Sequence, residues 1–183
     1  SDQRLHTGLC SNYLAHLQEG EQVRVFVQKN DAFRLPKKDG APLVMIGNGS
    51  GVAPFRAFME EREERGDSGK SWLFFGERRR RDDFYYQTEW QAWLKNGALT
   101  RLTAAFSRDG GNKTYVQDSI SAQGAELWRW LQEGGYVYVC GGETMAKGVH
   151  TALAELAAAH GSIDGKAFLA ELRQAGRYQR DVY

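Results

Sequence analysis

The sequence predicts an α/β domain built on an open parallel sheet with helices on both faces. From Pro42 onward, short apolar runs alternate with amphipathic stretches, the pattern of strands joined through crossover helices. The first apolar run passes through a glycine-rich turn straight into a helical stretch. The chain's 183 residues, 42% hydrophobic and 12% aromatic, supply one ordinary core and make disorder a poor description.

The first 40 residues read differently. Val23, Val25 and Val27 alternate with polar residues, which predicts a half-buried strand, and Phe33-Arg34-Leu35-Pro36 predicts a short strand that stops before the α/β part. That is too little to close a domain. Residues 1–40 are therefore expected to be the trailing piece of a preceding domain, and 41–183 the α/β domain. Within the latter, strands are predicted at 43–46, 72–75, 99–106 and 136–140. Helices are predicted at 54–64, 85–94, 115–132 (two pieces joined at Gln123-Gly124) and 143–160, where apolar residues recur every three or four positions. A last helix, 165–175, meets Gly176, well placed as a C-cap, before an extended tail over 177–183.

Composition narrows the function. The 24 Lys and Arg against 23 Asp and Glu leave a net charge of +1, no global field for nucleic acid or an acidic membrane, so contact with neither is expected. Two cysteines, Cys10 and Cys140, are too few for a disulfide framework and lack metal-site spacing; a reducing compartment, the cytoplasm, and no metal are expected. No apolar run approaches the ~20 residues of a membrane span, and the N-terminus lacks the pattern of a signal peptide.

The strongest local signal is the glycine-rich run Gly47-Asn48-Gly49-Ser50-Gly51 between an apolar strand and Pro54 at the helix start. Glycines let the backbone approach a phosphate, free amides at a helix N-terminus stabilise the anion, and Ser50 adds a hydroxyl. A tight strand-to-helix turn without ligand explains the same glycines, and the spacing is not the G-x-G-x-x-G of dinucleotide dehydrogenases. Ser107, Arg108, Lys113, Tyr115 and Gln117 follow the third strand, at the edge where open α/β sheets bind ligands. Cations with a hydroxyl suit a phosphate monoester, and a phenol ring suits a planar base; after a glycine turn, they point to a 2′-phosphate pocket. Arg78, in the run Glu77-Arg78-Arg79-Arg80-Arg81, stands just past the second strand and could reach a pyrophosphate, although such runs most often form a solvated face. Cys140 ends the fourth strand at the ligand edge, either as a packed small residue or as a functional thiol. His150 and His160 read as surface helix residues.

These stretches resemble the NADPH-binding half of the ferredoxin-NADP reductase superfamily, its diflavin reductase branch, and within that the sulfite reductase flavoproteins. The resemblance rests on 47–58 (GNGSGVAPFRAF), 73–90 (LFFGERRRRDDFYYQTEW), Ser107-Arg108 with 113–117 (KTYVQ), 124–131 (GAELWRWL), 136–141 (YVYVCG) and the terminal 177–183 (RYQRDVY). It implies Gly49, Ser50 and Gly51 at the NADP pyrophosphate, and Ser107, Arg108, Lys113, Tyr115 and Gln117 at the 2′-phosphate and adenosine. Cys140 and Asp181 are implied near hydride transfer, and Tyr183 as an aromatic cover on the flavin, carried by a tail that adds a strand at the sheet edge. Segment 6–14 is similar to the family's FAD-pyrophosphate segment, with Gly8, Leu9, Cys10 and Ser11 as contacts, so residues 1–40 become a remnant of a β-rich FAD domain. The arginine-aromatic-serine strand that grips flavin is missing, so no tight FAD binding is expected. Asn48 replaces a usual proline, and the 140–148 stretch is one residue shorter than in close relatives, with Gly148 where they carry an acid.

The implied activity is that of an NADPH-dependent flavoprotein oxidoreductase. Hydride passes from NADPH to FAD in the intact parent, then electrons pass to FMN in a flavodoxin-like domain or subunit and on to a metal-centre acceptor. A stand-alone NAD(P)H-dependent flavin or ferredoxin reductase is the first alternative. A nucleotide-binding regulatory module is the second, disfavoured because a sensor has no use for a flavin cover.

Overall fold

The computed structural model describes residues 8–183; His6 and Thr7 of the flavin-like segment lie outside the described residues. The chain divides into two compact units between Asn30 and Asp31.

In the first unit Gly8 caps a short helix, α1 (Leu9–Ala15), none of whose residues is buried. The strand expected through Val23, Val25 and Val27 does not form, and Val25 and Val27 are 83% and 91% exposed. Alternation supplies only a face; a strand also needs a neighbour to bond its backbone and an apolar surface to cover that face.

The second unit, Asp31–Tyr183, follows the predicted α/β order. Strands β1 (Leu43–Asn48), β2 (Ser71–Glu77), β3 (Arg101–Phe106), β4 (Tyr136–Gly141) and β5 (Tyr178–Val182) form one sheet of order β3-β2-β1-β4-β5, every neighbouring pair parallel. A 3-10 turn (Gly49–Val52) leads from β1 into α2 (Ala53–Glu64), and α3 (Arg80–Asp83) and α4 (Gln87–Asn96) follow β2. The crossover from β3 carries α5 (Val116–Ala122) and α6 (Gly124–Gln132), split at the predicted Gln123-Gly124 joint. Helices α7 (Glu143–Gly161) and α8 (Gly165–Gln174) join β4 to β5, and Gly176 takes the left-handed conformation, φ 68°, just past α8.

Alternate residues of each strand feed two cores. Val44, Ile46, Trp72, Phe74, Val137 and Val139 meet α5, α6, α7 and α8 on one face. Leu43, Met45, Leu73, Phe75, Tyr138 and Cys140 meet α2 and α4 on the other. This burial on both faces is why the strands read as unbroken apolar runs. The short strand expected at Phe33 to Pro36 does not form either. Instead Phe33 stacks on Phe58 at 5.6 Å and meets the Tyr138 ring edge-on at 5.3 Å, while the Tyr138 hydroxyl donates to the Arg34 carbonyl at 2.6 Å. Side-chain packing, not strand pairing, fixes the segment.

Boundaries moved where loop chemistry intervened. β3 begins at Arg101 because the Leu99 N–H donates back to the Trp93 carbonyl at 3.0 Å, closing the turn after α4. α4 begins at Gln87 because Tyr86 sits in the left-handed region, φ 57°. The unpredicted α3 is held by Asp83, whose carboxylate accepts the Arg79 N–H at 2.9 Å. Among the described residues no helix is long and apolar enough to cross a membrane, and no cluster of His, Cys, Asp and Glu could hold a metal ion.

Candidate nucleotide-binding site

The sheet order places β1 at the point where the chain stops adding strands on one side and starts on the other. The carboxyl edge of the strands around that switch is where a crevice opens. A cleft of about 460 Å³ lies there, lined by the ends of β1, β2 and β3 and by the first turns of α5 and α7. It is built from the second unit alone.

Asn48 at the end of β1 lines the cleft, and the glycine turn follows it; Gly49, Ser50 and Gly51 are not themselves among the lining residues. Gly49 takes φ 55°, open to glycine without strain. Gly51 is there for a different reason: a Cβ on it would stand 2.3 Å from the Cys140 carbonyl oxygen and 2.8 Å from the Gly141 Cα. The turn is thus pressed against the end of β4, while Ser50 stays exposed. Asn48, at the position where a proline is usual, accepts the Gly142 N–H on its Oδ1 at 3.2 Å and so ties the turn to the start of α7. The Ser50 hydroxyl is 2.8 Å from the Tyr183 hydroxyl, and the Tyr183 N–H donates to the Gly141 carbonyl at 3.2 Å. The C-terminal ring, 69% exposed, is thereby held against the glycine turn.

One wall comes from the predicted basic loop. Main-chain bonds from Ser107 N–H to the Glu77 carbonyl (2.9 Å) and from Arg108 N–H to the Arg78 carbonyl (2.8 Å) extend the β2–β3 pairing past the strands. They set Arg78 beside Ser107 and Arg108, and both Arg78 and Ser107 line the cleft. Among the described residues neither Arg108 nor Lys113 has an ion-pair partner, and both are exposed. Tyr115, 45% exposed, caps α5, its N–H donating to the Asp118 carboxylate at 2.7 Å. Gln117 lies in the cleft with its amide packed on Gly148, where a Cβ would stand 3.1 Å away; the missing acid at Gly148 leaves room for this amide.

Two of the expected reacting-end residues sit side by side, since Cys140 on β4 is in register with Asp181 on β5. Cys140 is only 3% exposed, and burial, with the nearby Asp181 charge, pushes its thiol up to about 11. At neutral pH it is a protonated, packed group and no nucleophile. Gly8, Leu9, Cys10 and Ser11 lie at the start of α1 in the first unit and take no part in the cleft.

The structure adds Asn48, Glu77, Thr144 and Met145 to the cleft. Asn48 and Glu77 are the last residues of β1 and β2, and the strand-end rule applied to Arg78 would have found both. Thr144 and Met145 carry no such signal, because their position depends on where α7 starts.

A parallel sheet of this order, with a glycine turn after the first strand and a cationic loop at the same edge, defines a dinucleotide-binding domain. Residues 45–151 match the family model described as oxidoreductase NAD-binding domain, and the chain belongs to that family. Over 98% of its length it is 55% identical to a sulfite reductase [NADPH] flavoprotein alpha-component of Cronobacter sakazakii. Proteins of the same description from Yersinia pestis and Vibrio vulnificus are each 52% identical, over 100% and 96% of the chain. The chain spans 29–31% of the length of these relatives.

Proposed function

We propose that the chain is the NADPH-binding module of a flavoprotein oxidoreductase of the sulfite reductase type. When bound, the nicotinamide supplies a hydride and a flavin in the remainder of the parent accepts it; electrons then pass by way of an FMN domain or subunit to a metal-centre partner. The chain's own part is to bind and orient. The amides of Gly49 and Ser50 and the Ser50 hydroxyl take the pyrophosphate. Ser107, Arg108 and Lys113 hold the 2′-phosphate, Tyr115 stacks on the adenine, and Gln117 closes that end of the cleft; Arg78, expected from the sequence to reach the pyrophosphate, is bonded through its carbonyl to the Arg108 N–H, and we assign it to the 2′-phosphate end instead.

The donor set fits such a ligand. The glycine turn follows Asn48 at the end of β1, while Arg78 and Ser107 line the cleft past the ends of β2 and β3, so an anion-binding turn and cations with a hydroxyl follow one another along the same sheet edge, as a pyrophosphate and a 2′-phosphate joined through one ribose require. Cys140 and Asp181 serve the nicotinamide end, the first as a neutral packed wall, the second as the charge beside it. Tyr183 covers the face the nicotinamide needs and has to leave Ser50 as coenzyme enters. The cytoplasm is the compartment we assign, on the ground that two cysteines are too few for the disulfide framework of a secreted domain.

The observation carrying this reading is the cleft at the carboxyl edge of the sheet, lined by Asn48, just before the glycine turn, and by Arg78, Ser107, Tyr115 and Gln117, with the exposed Arg108 next to Ser107 in the chain. Calorimetric titration of the chain with NADP+ and NAD+ tests it. NADP+ is expected to bind at least about tenfold more tightly, from contacts of ~1.5–3 kcal/mol each when desolvated, discounted for exposure. Arg108→Ala should remove most of the difference; equal affinity for the two coenzymes refutes the pocket.

A further inference from the structure

One carboxylate stands inside this anion site. Glu77 ends β2, between the glycine turn and Ser107, and is partly buried in the cleft lining. Its carbonyl accepts the Ser107 N–H at 2.9 Å, and its side chain turns back so that Oε2 accepts the Arg78 N–H at 2.6 Å. The other oxygen, Oε1, faces Gly49, 3.6 Å from where a Cβ on that residue would stand. Among the described residues Oε1 accepts no hydrogen bond, and Glu77 has no ion-pair partner. A negative charge here repels any phosphate brought close, so its presence needs a chemical reason.

The reason lies in the covalent order of the ligand, on the reading of the cleft given above. With the 5′-pyrophosphate at Gly49 and Ser50 and the 2′-phosphate at Ser107, the ribose spans the gap beside Glu77. The group its ring presents between those two phosphates is the 3′-hydroxyl, a donor. We propose that Glu77 determines which ribose oxygen carries the phosphate: Oε1 accepts the 3′-hydroxyl and excludes a 3′-phosphate. Arg78, Arg108 and Lys113 attract any phosphate monoester and cannot by themselves separate the 2′ from the 3′ isomer. A carboxylate at the 3′ position can, because it rewards a donor and penalises an anion. The ligand class is adenine nucleotides with a 2′-phosphate and a free 3′-hydroxyl, and those phosphorylated at the 3′ position are turned away.

The test is calorimetric titration of the chain with adenosine 2′,5′-bisphosphate, adenosine 3′,5′-bisphosphate and 5′-AMP. The unsubstituted chain is expected to favour the 2′,5′ isomer over the 3′,5′ isomer by about a hundredfold, the scale of juxtaposed like charges. Glu77→Gln keeps the shape and loses the charge, and should lower that ratio to about tenfold or less, mainly through tighter binding of the 3′,5′ isomer. A second readout needs no variant: 3′-deoxyadenosine 2′,5′-bisphosphate lacks the donor and should bind about tenfold more weakly than its parent. An unchanged isomer ratio in Glu77→Gln, or equal binding of both isomers by the unsubstituted chain, overturns the role of Glu77 while leaving the phosphate pocket standing. If neither bisphosphate binds more tightly than 5′-AMP, the pocket itself is refuted, and the role of Glu77 with it.

Discussion

Replacing Gly51 with alanine should break the site through packing. The added methyl would lie 2.3 Å from the Cys140 carbonyl oxygen, 2.6 Å from its carbon and 2.8 Å from the Gly141 Cα, all backbone atoms of a central strand. Ordinary carbon contacts need ~3.5–4.0 Å, so turn and strand must separate by roughly 1 Å. Overpacking costs about 1–3 kcal/mol, and an unyielding backbone on both sides puts this case near 3 kcal/mol. For a chain of this size each kcal/mol moves Tm by about 2–4 °C, so Gly51→Ala should lower Tm by roughly 6–12 °C in scanning calorimetry. Gly111→Ala is the matched control, since nothing lies within 4 Å of its Cβ and its φ is ordinary. The same displacement should weaken NADP+ binding by moving the Gly49 and Ser50 amides. A Gly51→Ala protein melting within about 2 °C of the unsubstituted chain would refute the packing argument.

Other expectations follow from the same geometry. Iodoacetamide at neutral pH should label exposed Cys10 in the folded chain and leave Cys140 unmodified until denaturant is added, because burial keeps that thiol protonated and covered. Burial of Asp67 would raise its carboxyl pKa, but the Gly69 and Gly40 N–H groups and the Arg62 guanidinium outweigh it and hold the group below its usual 3.8. Its stabilising contribution is therefore complete above that usual value and lost as pH falls through the lower folded one. Asp67→Asn should accordingly lower Tm at pH 6, with a gap to the unsubstituted chain that closes in strong acid. Tyr183→Phe removes the bond to Ser50 and should tighten NADP+ binding severalfold, an effect expected to vanish in a Ser50→Ala background if the two hydroxyls compete with the ligand. In the intact parent, deleting Tyr183 should raise flavin reduction by NADH proportionally more than by NADPH in stopped flow; an equal change with both coenzymes would make Tyr183 a packing residue.

The four strands from Leu43 to Gly141 and the helices between them were legible because burial on both faces leaves unbroken apolar runs with turn residues between them. The extended tail and the split at Gln123-Gly124 were equally plain. Residues 23–27 misled because alternating valines record a preference for pleated geometry and carry no information about a pairing partner. α3 was invisible because one carboxylate, Asp83, decides it. The candidate site was half legible. Ser107, Arg108, Lys113, Tyr115 and Gln117 follow a strand and declare their edge, whereas the packing role of Gly51 depends on a β4 backbone 89 residues away in sequence (140 − 51). Glu77, the last residue of β2, is reached by the same strand-end rule that singles out Arg78, although the arginine run beside it reads as a solvated face.

The central claim is that one nucleotide site runs along the carboxyl edge of the sheet, with pyrophosphate at the glycine turn and 2′-phosphate at the basic loop. Backbone amide shifts of the 15N-labelled chain, followed while NADP+ and then NAD+ are titrated, test it most directly. Both coenzymes are expected to move Gly49, Ser50 and Gly51, and only NADP+ should strongly move Ser107, Arg108 and the 113–117 segment. Shifts confined to residues outside the cleft, or an NADP+ pattern indistinguishable from that of NAD+ at Ser107 and Arg108, would contradict it.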